Sequence, residues 1–140
     1  MFYKIHLFLK MSLRRKLLLI SAFVLSFYSW VMMRFFKNKA LFGQRNKPIE
    51  TKNIDNTLIV DIRFAIRIAH KYVPYENACR HQAYQAMLLC KYYAIPYQIY
   101  VGFQKNEVGK IAGHAWTVVQ GEMITGFCNP DDYTVQTVYA

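Results

Sequence analysis

Cysteine is scarce in this 140-residue chain: Cys79, Cys90 and Cys128 are the whole set. An odd number in a short chain argues against a closed disulfide framework. No CxxC pair and no cluster with zinc-ligand spacing occurs, so no metal site is expected. Free thiols fit a reducing compartment, which makes a cytoplasmic location the expectation. Acidic residues are missing altogether from the first 47 positions, which hold Lys4, Lys10, Arg14, Arg15, Lys16, Arg34, Lys37, Lys39, Arg45 and Lys47. From Pro48 onward basic and acidic residues balance, so the net charge of +10 belongs to the N-terminal segment. That asymmetry nominates an acidic surface as partner, whether anionic lipid, nucleic acid or an acidic peptide; the alternative is a basic arm that serves solubility. Internal repeats and low-complexity segments are also absent, and the length fits one domain.

Leu17 to Met33 is an uncharged run with basic flanks. It falls short of the roughly 20 apolar residues of a membrane span. No small-x-small cleavage site follows it, so a signal peptide fits poorly. Ser21, Ser26 and Ser29 share an arc of about 140° on a helical wheel, a weakly polar stripe on an apolar helix. Three placements remain: packed on the domain or a partner, lying on a membrane, or spanning one.

The chain divides into a basic, hydrophobic helical segment, residues 1–47, and a domain of residues 48–140, with Gly43 to Pro48 as linker. Residues 12 to about 41 read as one long helix or two. A second helix is expected from Asn56 to Tyr72, capped by Asp55 or Asn56, with Leu58, Ile62, Ala65, Ile66 and Ala69 at helical spacing. A third runs from an N-cap at Asn77 to about Tyr93. The period then changes. Tyr97–Phe103, His114–Val119, Glu122–Phe127 and Tyr133–Tyr139 read as strands, joined by a polar loop, a tight Gln120-Gly121 turn and an Asn129-Pro130-Asp131-Asp132 turn. Helices followed by an antiparallel meander make an α+β fold.

Cys79 falls in the first turn of the third helix, where unpaired N–H groups and the positive end of the macrodipole favour thiolate over thiol. Cys90 lies at the opposite end, and Cys128 follows a strand with no evident base. A strand-borne His114, 35 residues beyond Cys79, can face a helix N-terminus across a groove, as a base faces its nucleophile. His6, His70 and His81 are weaker candidates for that role. A third group usually orients the imidazole. Asp131 and Asp132 are the first candidates, then Asn129 and Thr125; turn chemistry after Pro130 explains the two aspartates equally well.

The blocks Pro74-Tyr75-Glu76-Asn77-Ala78-Cys79-Arg80-His81-Gln82-Ala83, Leu88 to Pro96, Ile99 to Phe103 and His114-Ala115-Trp116 resemble a known family. They are similar to the B2 proteins of lasso peptide biosynthesis, transglutaminase-like (papain-like) cysteine peptidases. The resemblance covers about half the chain, from Val73 onward, and places residues 48–140 in that fold. It implies removal of a leader from a ribosomally made precursor peptide, with Cys79 as nucleophile and His114 as base. Only helix precedes Val73, so the chain resembles the split form, which works with a B1-type leader-recognition protein and an asparagine-synthetase-like cyclase. No nucleic-acid partner and no cofactor are expected; an ATP requirement would come with the resemblance alone. Tyr75 stands where the family has Trp, and Arg80 where it has Leu, adding positive charge near the thiol. Family members with a clear acid carry Asp about twelve residues after the histidine, and here that position is Gly126. Two other readings of the Cys79–His114 pair stand beside the peptidase: a non-catalytic scaffold that presents precursor to the cyclase, and a membrane-associated thiol acyltransferase.

Overall fold

A computed structural model of the protein describes residues 6, 8–36, 42, 54–105 and 109–140. The expected linker, the far end of the first helix beyond Phe36, and the tip of the first hairpin loop lie outside them. In order, the described elements are α1 (Leu13–Phe35), α2 (Asn56–Tyr72), α3 (Cys79–Tyr92), β1 (Gln98–Lys105), β2 (Ile111–Val119), β3 (Glu122–Thr125), a 3₁₀ turn (Pro130–Asp132) and β4 (Thr134–Tyr139). This is the α+β class, helices first and a four-stranded antiparallel sheet after them.

Each helix starts where its local chemistry allows. Ser12 caps α1 by accepting from the Arg15 N–H at 3.3 Å, and Asp55 caps α2 by accepting from the Thr57 N–H at 2.8 Å. A cap of this kind contributes about 1 kcal/mol. The expected cap of α3, Asn77, is displaced by one residue: Ala78 holds the N-cap position. Asn77 is instead buried, and its side-chain oxygen accepts from Gln85 Nε2 at 2.7 Å. Ala78 has no side-chain oxygen to offer, so the only cap bond here is the returning one, from the Ala78 N–H to His81 Nδ1 at 3.1 Å.

The central element is α3. It packs on β2 and β3 on one side and on α1 and α2 on the others. That explains why Ala83, Tyr84, Gln85, Ala86, Met87, Leu89 and Cys90 are all buried, more than one face of a helix. Ile59, Ile62, Ala65, Ile66 and Ala69 of α2 and Leu18 and Ala22 of α1 join the same core. Burying a Leu or Ile side chain completely stabilises by about 1.5–3 kcal/mol, so α1 is part of the domain's stability.

The inward face of α1 is the serine stripe. Ser26 and Ser29 are fully buried. The Ser26 hydroxyl lies 2.7 Å from the Tyr75 hydroxyl, and Ser29 Oγ accepts from Gln85 Nε2 at 3.2 Å. Leu13, Leu17, Ile20, Val24 and Phe27, spaced four and three residues apart, form the exposed stripe. By length and composition α1 could cross a membrane. Arg14 and Arg15 at its start both pair with the buried carboxylate of Asp61 on α2, at 2.9 and 2.6 Å. Two of the N-terminal cations are therefore structural.

The strand order is β3-β2-β1-β4. The first three strands form the expected meander, but β4 crosses back to pair with β1 instead of continuing beyond β3. In the β1–β2 ladder Gly102 pairs with His114 and Tyr100 with Trp116. Trp116 is fully buried, stacked on Tyr100 with ring centroids 5.5 Å apart.

Candidate active site

A cavity of about 360 Å³ opens where α2, α3 and the sheet meet. From α3 it takes Cys79 and Gln82, from α2 Arg63, Arg67 and His70, and from the sheet side His114, Gly126 and Phe127, over an apolar floor of Ile66 and Ile124. Cys79 is the first residue of α3 and half-buried. The loop that delivers it is tied down at Asn77, whose backbone carbonyl accepts from Gln82 Nε2 at 3.1 Å and bonds His70 Nδ1 at 2.9 Å. Its side chain reaches Gln85, and Gln85 reaches Ser29 on α1. The thiol's position is thus braced by all three helices.

His114 is held on two sides. Its ring stacks on Tyr133, with centroids 5.1 Å apart, and its Nε2 lies 2.9 Å from the Gly126 carbonyl oxygen. A carbonyl only accepts, so Nε2 must carry the proton. In the neutral ring Nδ1 is then the lone-pair nitrogen, the one available as a base.

The group that holds the ring is therefore the backbone of Gly126, twelve positions after the histidine, where members of the family the sequence resembles carry Asp. Gly126 has φ +65°, and a Cβ there would stand 2.1 Å from the Ala115 carbonyl oxygen. No side chain fits that space. Asp131 and Asp132, expected as candidates for the acid, are exposed in the 3₁₀ turn and are not among the described residues lining the cavity. Asp132 accepts from Asn129 Nδ2 at 3.2 Å and Asn129 caps the turn by accepting from the Asp131 N–H, the turn chemistry that follows Pro130. Thr125 is also accounted for: its hydroxyl donates to Thr117 Oγ1 at 3.0 Å across β2 and β3.

Arg80 is exposed, with its guanidinium 3.9 Å from Glu76, and does not line the cavity. The cations that do are Arg63 and Arg67 on α2, which belong to no motif read from the sequence. Their spacing with His70, at i, i+4 and i+7, was the only available signal. His81 is buried beside the site, and burial pushes its pKa down, helped by Arg80 and opposed by Glu76. Cys128 is half-buried, and its thiol is pushed up by burial, then by Asp132 and by Cys79. A larger cavity, about 1010 Å³, lies around Phe8, Leu19, Phe64 and Ile68 beside the Arg14–Asp61 pair. No cysteine or histidine is among the described residues lining it; a thiol and an imidazole meet at the smaller one. No group of residues suited to hold a metal ion occurs among the described residues.

No curated protein and no solved structure matches the chain. The family profile of the transglutaminase-like superfamily does match, over residues 25–138, from the middle of α1 to the next-to-last residue of β4. That span contains every residue of the cavity named above, in a superfamily of cysteine peptidases and acyltransferases. The chain belongs to the transglutaminase-like superfamily.

Proposed function

We propose that the protein is a cysteine peptidase that removes the leader from a ribosomally made lasso peptide precursor. One observation carries the catalytic part: Cys79 at the start of α3 and His114, with its Nε2 committed to the Gly126 carbonyl, line one cavity. His114 Nδ1 accepts the thiol proton, and the Cys79 sulfur attacks the scissile carbonyl carbon. The first-turn N–H groups of α3, and the second N–H of the Gln82 amide, are the donors available to the oxyanion. The C–N bond breaks as His114 returns the proton to the leaving amine. Water then attacks the thioester, giving its proton to His114, and frees the thiol. Asp131 and Asp132 take no part in this scheme; it is a dyad with a backbone carbonyl behind the base.

The lasso-specific part is supported by the block pattern from Pro74 to Ala83 and His114-Ala115-Trp116, with a B1-type protein and a cyclase as the expected partners. Incubation with a leader-bearing precursor and a B1-type protein should release the leader, and Cys79→Ala should abolish release. Retained cleavage in that variant would sink the reading. A mass gain on an amine acceptor in place of leader loss would favour the acyltransferase. A Cys79 inert to alkylation would favour the scaffold. We place the protein in the cytoplasm, with the exposed apolar stripe of α1 and its basic flank as the membrane-contacting surface.

A further inference from the structure

Arg63 and Arg67 at the cavity lack the carboxylate partners that three other arginines have. Arg14, Arg15 and Arg80 each lie within 4 Å of an Asp or Glu oxygen. Arg63 and Arg67 have no such partner among the described residues, and no carboxylate lines the cavity they border. They stand one helical turn apart on α2 and so project on the same side. Arg63 is held at the rim, its guanidinium 4.6 Å from the centre of the Phe127 ring. Stacking on an aromatic face orients a guanidinium while leaving its N–H edge free. Half-buried Arg63 beside an apolar floor is partly shielded from solvent, and exposed Arg67 adds a second, better-screened charge, so that the pair attracts anions toward the cavity.

We propose that Arg63 and Arg67 form an anion subsite beside Cys79 that takes a carboxylate of the peptide substrate. The proposal rests on Cys79 being the reacting group. A guanidinium fork matches a carboxylate in two parallel N–H···O bonds. The carboxylate can be an acidic side chain flanking the scissile bond or a free C-terminus.

The test compares two alkylating reagents of similar size on the intact chain, the anion iodoacetate and the neutral iodoacetamide. The rate ratio at Cys79 is read by peptide mass mapping and referred to the same thiol in urea-unfolded chain. The native ratio should favour iodoacetate by about tenfold at low salt and decline as ionic strength rises. Arg63→Gln with Arg67→Gln should bring the ratio below about twofold, and Arg63→Lys with Arg67→Lys should restore most of it, because the effect is charge. The ratio and not either rate is the readout, because losing two cations lowers the thiolate fraction at Cys79 equally for both reagents. A native ratio equal to the unfolded one, or one insensitive to the Gln pair and to salt, overturns the subsite while leaving Cys79 as nucleophile. Failure of both reagents to label Cys79 overturns the peptidase reading, and the subsite with it. The source of the carboxylate is read from protection of Cys79 against iodoacetamide by three short peptides. An amidated Glu peptide, an amidated Gln peptide and a Gln peptide with a free C-terminus separate the two. Protection by either acid above the neutral peptide supports the subsite and names its ligand; equal protection by all three counts against it.

Discussion

Cys79 and Cys90 sit about three turns apart on one helix, and their surroundings are opposite. Cys79 is the first residue of α3, half-buried, and opens on a cavity that also holds an imidazole. Cys90 is fully buried near the helix's other end, and burial pushes its thiol up to about 12. The Cys90 backbone carbonyl is also taken, by the Ile95 N–H at 2.8 Å, where the chain turns into the sheet. The residue type is the same and the helix is the same. What differs is which end of the helix it occupies and whether space adjoins it. A thiol is made useful by the groups that meet at its position.

The largest expected effect follows directly. Cys79→Ala should lower precursor cleavage by about 10³-fold or more, while Cys90→Ala leaves the rate per folded molecule within a few fold. Alkylation of the native chain near neutral pH, mapped by mass spectrometry, should mark Cys79 and spare Cys90 until the chain is unfolded. Equal labelling of the two would erase the contrast on which the site assignment stands.

Next comes the carbonyl behind the base. At φ +65° and with a Cβ only 2.1 Å from the Ala115 oxygen, Gly126→Ala must shift the backbone that holds His114 Nε2. The expected cost is about 3 kcal/mol or more, read as a lower urea midpoint, together with a loss of cleavage in whatever fraction stays folded. A variant of wild-type stability and rate would show that this turn neither requires glycine nor orients the ring.

These two ends of α3 also show what could be read in advance. The bounds of α2 were legible because apolar spacing and an Asp cap are local signals. The placement of Cys79 in the first turn of a helix and of His114 on a strand was legible for a related reason, since both follow from local pattern. The start of α3 was misplaced by one residue because Asn77 spends its side chain on Gln85, a partner visible only after folding. The serine stripe of α1 was seen, but its direction was not. It points inward because Tyr75 and Gln85 satisfy its hydroxyls. Gly126 appeared only as a missing acid, since a backbone carbonyl leaves no mark in a sequence. The pairing of β4 with β1 was hidden too, because nothing local says which sheet edge a last strand joins.

A smaller effect tests the cap that starts the helix. His81 Nδ1 must be unprotonated to accept from the Ala78 N–H, and its folded pKa is lowered, chiefly by burial. Between that lowered value and the ordinary histidine value of about 6.5, the unfolded chain binds the proton and the folded chain does not. Stability from this residue is therefore complete above the ordinary value and lost as pH falls below it. The slope should be at most about 1.4 kcal/mol per pH unit. Melting curves from pH 7.5 to 5 should show this decline, and His81→Gln should flatten it. An unchanged slope in the variant would move the acid sensitivity elsewhere.

The smallest expected effect concerns the two aspartates. If either were the acid behind His114, replacing both by Asn would cost on the order of 10⁴-fold, as loss of a triad carboxylate does. The Nε2 position is already occupied by the Gly126 oxygen, and the aspartates are exposed in a turn of their own. Asp131→Asn with Asp132→Asn should therefore leave cleavage within about twofold. One change is expected a few residues away. Asp132 is the second cause, after burial, of the raised Cys128 thiol. Removing its charge should let that thiol relax downward and react with iodoacetamide slightly faster, while Cys79 is unaffected. A cleavage loss of a hundredfold would instead mean that the turn swings a carboxylate onto His114 when substrate binds, making the reacting site a triad and the carbonyl its resting partner.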